Sequence, residues 1–153
     1  MKIDILPLSE DYIKGITEVE NNSFSIPWSE QSFRNELAND AANYYVALSD
    51  NKVIGYIGFW EVAGEGDITN VAVLPEYRRI GAGSLLIRHV ISECRKRNLC
   101  RLTLEVRTSN FPARSLYEKY GFSEAGIRKN YYSDTREDAV IMELCIPDGK
   151  ENQ

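Results

Sequence analysis

Three features of this 153-residue sequence have residue types and spacings that could do chemistry. One is a basic, glycine-containing loop, Arg78-Arg79-Ile80-Gly81-Ala82-Gly83-Ser84; the others are Glu105, in a run of alternating apolar residues, and Tyr117, on the segment that follows. The loop lies between a β-rich run and a segment of helical periodicity. Unpaired N–H groups and the helix dipole at such a junction favour an anion. Gly81 and Gly83 leave room for a close backbone approach. The loop is not a P-loop, since no Gly-Lys-Ser/Thr follows, nor a dinucleotide fingerprint, since Leu86 holds the third glycine position. A different phosphate ligand is implied, although a Gly-x-Gly turn before a helix is by itself more often structural.

Leu102, Leu104 and Val106 alternate with Thr103, Glu105 and Arg107, as in a strand. We expect this strand to be central and covered on both faces, where a carboxylate needs a partner or a task. An ion pair with Arg107 or Arg128 and a general base are both open at this point. Tyr117 is spaced from Ala113 and Tyr120 like a core residue of a helix. A phenol of ordinary pKa, about 10, also stays protonated at neutral pH and can supply a proton. Asn110 stands where it can cap that helix. Cys94, Cys100 and Cys145 are odd in number and show no C-x-x-C pair, and His89 is the single histidine, so neither a metal site nor a cysteine nucleophile is expected.

These groups need a scaffold, and the hydrophobic periodicity supplies one. Residues 2 to 6 alternate as a strand closed by Pro7; Ser9 is placed to cap a helix carrying Ile13, Ile16 and Val19, ending near Asn21 and Asn22. After a loop containing Pro27, Ser29 caps a second helix with Phe33 and Leu37. Residues 44–48 and 53–60 read as an antiparallel hairpin, Gly64 and Gly66 break the chain, and 67–74 form the next strand. A long helix through Leu85, Leu86, Val90 and Ile91 ends at Arg95, Lys96 and Arg97 and leads to the Glu105 strand, where the sheet becomes parallel. A helix from about Pro112 to Tyr120, stopped by Gly121, and two strands near 122–128 and 137–146 complete the chain. The fold class is α/β, with a mixed seven-stranded sheet flanked by helices in one domain, 1–147, and a disordered tail, 148–153.

Composition narrows the function classes. A hydrophobic content of 43% supports one core, and charged residues at 27% are spread along the chain rather than massed as in disordered proteins. A net charge of -5 argues against a broad nucleic-acid footprint. The N-terminus lacks the apolar stretch of a signal peptide, and no apolar run is long enough for a membrane span, so a cytoplasmic setting is expected.

The loop at 78–84 with its preceding T-N-V-A-V-L-P resembles the Arg/Gln-x-x-Gly-x-Gly/Ala pattern of the GNAT superfamily of acetyltransferases. The run L-T-L-E-V-R-T-S-N-F-P-A-R-S-L-Y-E-K-Y-G-F is similar to a narrower group, the RimI-type ribosomal-protein-alanine N-acetyltransferases. S-I-P-W-S at 25–29, Asn130-Tyr131-Tyr132, Glu137-Asp138-Ala139 and Met142 add to the likeness, which covers nearly the full chain. Ser84 departs from it, since a basic residue is common there. The resemblance implies acetyl-CoA as co-substrate, without a metal. Val71, Ala72 and Val73 would pair with the pantetheine arm, Arg79, Ile80, Gly81, Ala82, Gly83 and Ser84 would cradle the pyrophosphate, Arg78 would add charge, and Asn110 would lie against the coenzyme. It makes Glu105 the general base and Tyr117 the general acid, and places Trp28, Tyr131 and Tyr132 at the acceptor.

The implied reaction is direct transfer of acetyl to the N-terminal α-amine of a protein, the N-terminal alanine of a small-subunit ribosomal protein. The alternatives are acetylation of a small amine, such as a polyamine or antibiotic, and a silent acetyl-CoA-binding module. Proton energetics favour the α-amine. With pKa values of about 7.8 and about 10.4, reaching the neutral nucleophile at pH 7 costs roughly 1.1 kcal/mol for an α-amine and 4.6 for lysine. The oligomeric state is not legible.

Overall fold

The computed structural model describes residues 2–146, so the tail expected over 148–153 lies outside the described residues. Strand β1 (Asp4–Pro7) leads through a 3-10 turn (Glu10–Tyr12) into helix α1 (Ile13–Asn21), and helix α2 (Glu30–Leu37) follows. Ile13, Ile16 and Val19 are buried along one stripe of α1, as their spacing requires. The expected cap at Ser9 does not form. Its hydroxyl makes no capping bond, because a tight 3-10 turn comes before the α-helix. Ser29 does cap α2, its Oγ accepting the Ser32 N–H at 3.2 Å.

Strands β2 (Ala42–Ser49) and β3 (Lys52–Val62) form the expected hairpin. Asp50 and Asn51 hold φ of 50° and 64°, the left-handed pair that suits a two-residue turn between twisted strands. Strand β4 (Glu65–Val73) turns back along β3 through Ala63 and Gly64. Gly66 is not a break: it is paired with Glu61 inside β4, and a Cβ there would stand 2.9 Å from Leu102 Cδ1. Helix α3 (Ala82–Lys96) then crosses to strand β5 (Arg101–Arg107), and helix α4 (Phe111–Lys119), strand β6 (Ser123–Arg128) and strand β7 (Ala139–Cys145) complete the order.

The strands form one seven-stranded sheet in the order β1-β2-β3-β4-β5-β7-β6. Among the described residues only β4 and β5 run parallel, the pair that a crossover helix must join. One core gathers Leu86, Ile87, Val90 and Cys94 of α3 and Tyr117 of α4 against Ile57, Phe59, Leu102, Leu104 and Met142. A second gathers Ile13, Ile16, Val19 and Phe33 from α1 and α2 against Tyr44, Val46 and Tyr56. The helices thus cover the sheet in two layers. One expectation fails here: β5 is central but not covered on both faces. Leu102, Leu104 and Val106 are buried, while Thr103, Glu105 and Arg107 on the other face are only half-buried.

Candidate active site

The parallel seam between β4 and β5 is short. Its pairs run from Glu65↔Arg101 to Ile68↔Leu104, and beyond that point both strands continue without pairing to each other. A bulge marks the parting. The register against β3 jumps from Gly58↔Asn70 to Phe59↔Ile68, leaving Thr69 as the extra residue, and such a bulge bends its strand. Tyr44 bonds to Thr69 Oγ1 at 2.8 Å, which fixes the bulge from the buried side.

The open edge of β4 has a definite polarity. The Leu74 N–H donates to Ile54 O at 2.8 Å, and hydrogen-bonded pairs alternate along an antiparallel ladder, so Ala72 turns its backbone groups to Tyr56. Val71 and Val73 therefore turn theirs away from β3, into the gap. Of the three residues expected to pair through their backbone with a ligand arm, the two valines have those groups free of β3. The Val73 carbonyl accepts from Arg78 Nε at 3.0 Å, which ties the loop to the strand.

At the mouth of the gap α3 begins without a cap. Gly81, the N-cap residue, has φ of 93° and makes no side-chain bond to the first turn, and that turn holds no acidic residue. The N–H groups of Ala82, Gly83 and Ser84 have no intrahelical acceptor. Helix α1 also lacks a side-chain cap but continues from the 3-10 turn, whereas Ser29 closes α2, and Asn110 Oδ1 accepts the Ala113 N–H at 3.2 Å to close α4. The loop is exposed at Arg78, Arg79, Ile80 and Gly81, and Arg79 holds φ of 65°. Uncapped donors, a positive dipole end and two arginines fit a polyphosphate. A Cβ at Gly83 would meet Leu116 Cδ2 of α4 at 3.3 Å, so its missing side chain also makes room for α4.

On the open face of β5, Glu105 Oε1 accepts from Arg128 Nε at 3.1 Å, so Arg128 rather than Arg107 is its partner. Burial nevertheless pushes the Glu105 carboxyl above its ordinary value, Asp67 adds to the rise, and Arg128 opposes it. Asp67 sits across the parallel seam, in register with Thr103, whose Oγ1 donates to its Oδ1 at 3.2 Å. Burial raises the Asp67 carboxyl too. Two carboxylates and one arginine thus share the face where the strands part. The sequence reading missed Asp67, whose signal is its place two positions ahead of the bulge.

Tyr117 is buried on α4, its ring 5.8 Å from that of Phe122, and burial holds its phenol protonated well above the ordinary range. Tyr131 and Tyr132 meet edge to face at 5.1 Å. Tyr132 lies under the Arg107 guanidinium at 4.0 Å, and burial pushes its phenol up to about 12. Tyr131 is 49% exposed, in the field of Glu105 and Asp67. Trp28 is a support: its ring packs 5.5 Å from Phe33 and 6.3 Å from Tyr44, and its backbone N–H donates to the buried Glu20 carboxylate at 2.9 Å. The exposed apolar side chains of its loop are Phe24 and Ile26, which the sequence reading did not single out. Among the described residues no group of three or more His, Cys, Asp or Glu could hold a metal ion.

Known proteins share this fold. The model of the acetyltransferase (GNAT) family matches residues 13–122. A ribosomal protein bS18-alanine N-acetyltransferase of Escherichia coli is 41% identical over 84% of this chain and 87% of its own. A Bacillus subtilis relative that carries the same name provisionally is 45% identical over 88% of this chain and 89% of its own. The crystal structure of the ribosomal-protein-S18-alanine N-acetyltransferase from Escherichia coli superposes with a TM-score of 0.89 at 36% identity, covering 99% of each chain. With a strand pair parted over an uncapped helix start, and with relatives matched along nearly its whole length, the chain belongs to the GNAT family of acetyltransferases.

Proposed function

We propose that this protein transfers the acetyl group of acetyl-CoA to the N-terminal α-amine of a protein, with the N-terminal alanine of ribosomal protein bS18 as acceptor. The observation that carries the reading is the parting of β4 from β5 beyond Ile68 and Leu104, with the uncapped start of α3 at its mouth and Glu105 on its wall. The relatives' printed names supply the acceptor. That acceptor implies a cytoplasmic reaction. No helix among the described residues is long and apolar enough to cross a membrane.

In this mechanism the backbone of Val71 and Val73 holds the pantetheine arm as an added strand, and residues 79–84 receive the pyrophosphate. Arg78 braces the loop through Val73, and Asn110 spends one face of its amide on the α4 cap. Glu105, ionised, takes a proton from the α-ammonium, directly or through water. The neutral amine attacks the thioester carbonyl, and a backbone N–H on the open edge of β4 meets the oxyanion. The C–S bond then breaks as the Tyr117 phenol protonates the departing thiolate, and the nitrogen gives up its second proton, through water, to the Tyr117 phenolate, which leaves a neutral amide and a free thiol. No acyl-enzyme forms. Burial puts the Cys94 thiol up to about 12, which leaves it protonated and unreactive.

Turnover of three acceptors decides the reading: an alanine-starting peptide, the same peptide N-terminally blocked with an internal lysine, and spermidine. The first should give the highest kcat/KM. Faster turnover of the second or third overturns the N-terminal assignment, and binding of acetyl-CoA without turnover of any of them would make the chain a silent binding module.

A further inference from the structure

Two irregular connections meet at Asp134, which Arg107 of β5 also holds: residues 22–29 between α1 and α2, and residues 129–138, with Tyr131 and Tyr132, between β6 and β7. The second is firmly held. Arg107 Nη1 donates to Thr135 Oγ1 at 3.1 Å, its guanidinium covers Tyr132 at 4.0 Å, and Glu137 accepts from the Ser109 N–H at 2.7 Å and from Thr108 Oγ1 at 3.0 Å. Asp138 Oδ1 accepts the Asn130 N–H at 2.9 Å. The first connection has its own inner anchor, the Trp28 N–H on Glu20. At its tip Phe24 and Ile26 are exposed, and between them stands Ser25.

Among the described residues one hydrogen bond joins the two connections. Ser25 Oγ donates to Asp134 Oδ2 at 2.8 Å, and Arg107 Nη2 reaches Oδ2 at 2.8 Å and Oδ1 at 2.9 Å. Asp134 is therefore bonded from both sides, by the tip of the α1–α2 connection and by the strand that carries Glu105 two residues earlier. Its carboxyl is held down at about 2, by the Ser25 hydroxyl first and Arg107 next, so it stays ionised at any working pH.

We propose that Ser25, Asp134 and Arg107 form a clasp that fixes the α1–α2 connection as the outer wall of the acceptor groove, and that Asp134 is a positioning residue for the acceptor. The role in acceptor binding rests on the function proposed above; the clasp does not. With the clasp closed, Phe24, Ile26 and Tyr131 stand as a preset apolar rim for the first residues of a peptide chain. With it open, the loop tip is ordered only when the acceptor binds, and acceptor affinity carries that entropy. The donor side is anchored on β4 and α3, away from both connections, so it is insulated.

The test uses the full chain with Ser25→Ala, Ser25→Thr and Asp134→Asn. Ser25→Ala and Asp134→Asn should raise KM for an alanine-starting peptide by roughly three- to tenfold, the scale of one lost hydrogen bond to a charged group at a half-open site. The acetyl-CoA KM and kcat should stay within about twofold, and Ser25→Thr, which keeps the hydroxyl, should restore the wild-type peptide KM. Hydrogen–deuterium exchange needs no acceptor: Ser25→Ala should speed exchange over 22–29 and leave 129–138 nearly unchanged, because Arg107 and Glu137 still hold it. Unchanged exchange overturns the clasp. Faster exchange with an unchanged peptide KM, or with an equal rise in both KM values, overturns the positioning role. A wild-type chain that leaves the peptide unacetylated sinks the acceptor assignment instead, and the exchange result then decides the clasp by itself.

Discussion

Glu105 works as a base only in its ionised form, and its surroundings pull its pKa in two directions. Burial and the neighbouring Asp67 raise it; Arg128 lowers it. Since the raised pKa lies above the ordinary 4.5, the carboxylate and the activity it supports are lost as pH falls through that higher value. Asp67→Asn removes one raising influence, so the acidic limb of kcat/KM should move to lower pH. Arg128→Gln removes the lowering one and should move the limb up. An acidic limb that stays put in both variants would take Glu105 out of the role. Tyr117 is the complementary case, a phenol that burial keeps protonated. Tyr117→Phe should lower kcat by about 100-fold with the acetyl-CoA KM little changed, as for a proton donor acting in the transition state. Full activity in that variant would move the donor to another group, with Tyr132 next in line.

Each element of the site is tuned by what it lacks. Helix α3 lacks a cap, and α2 and α4, which meet no phosphate in this mechanism, have theirs. Strand β4 lacks a partner on one side after Ile68, and its bulge at Thr69 is pinned by the Tyr44 hydroxyl. Gly81 is the better probe of the loop, because Gly83 packs toward Leu116 and a large side chain there would push on α4. Nothing lies within 4 Å of a Cβ built at Gly81, so a side chain has space but would project where phosphates must come. Gly81→Val should weaken acetyl-CoA binding strongly by calorimetry, while the left-handed φ costs roughly 1–2 kcal/mol of stability. Unaltered affinity would mean that the pyrophosphate lies elsewhere.

At the scale of the molecule, two cores share one sheet, and the parallel seam that ends at the site is also the spine of the larger core. Gly66 and Leu102 are partners across that seam, with Cys94 of α3 above them at 3.4 Å from a Gly66 Cβ. Gly66→Ala should cost about 1–3 kcal/mol in denaturant unfolding through overpacking against Leu102. Adding Leu102→Val, which removes the clashing Cδ1, should return part of that loss. Strict additivity of the two substitutions would show that they do not share space. The buried Glu20 serves the second core in a similar way, receiving the Tyr56 hydroxyl and the Trp28 N–H, and so holds the α1–α2 connection against the sheet.

The sequence by itself determined the elements and the donor loop. Alternation and helical spacing are local properties, so all seven strands and four helices were legible, as were the Ser29 cap and the glycine-broken start of α3. Local pattern also misled at two places: Ser9 precedes a 3-10 turn it does not cap, and Gly66 sits inside a strand because of Leu102, which is remote in sequence. Only the tertiary structure decided which arginine faces Glu105, that Asp67 stands beside it, and that Ser25 and Asp134 meet. Each of these depends on sheet order and register, which bring residues far apart in the chain onto one face. The same holds for the half-open face of Glu105: a strand's place in the sheet does not say which of its faces a helix will cover, and that choice is made by packing.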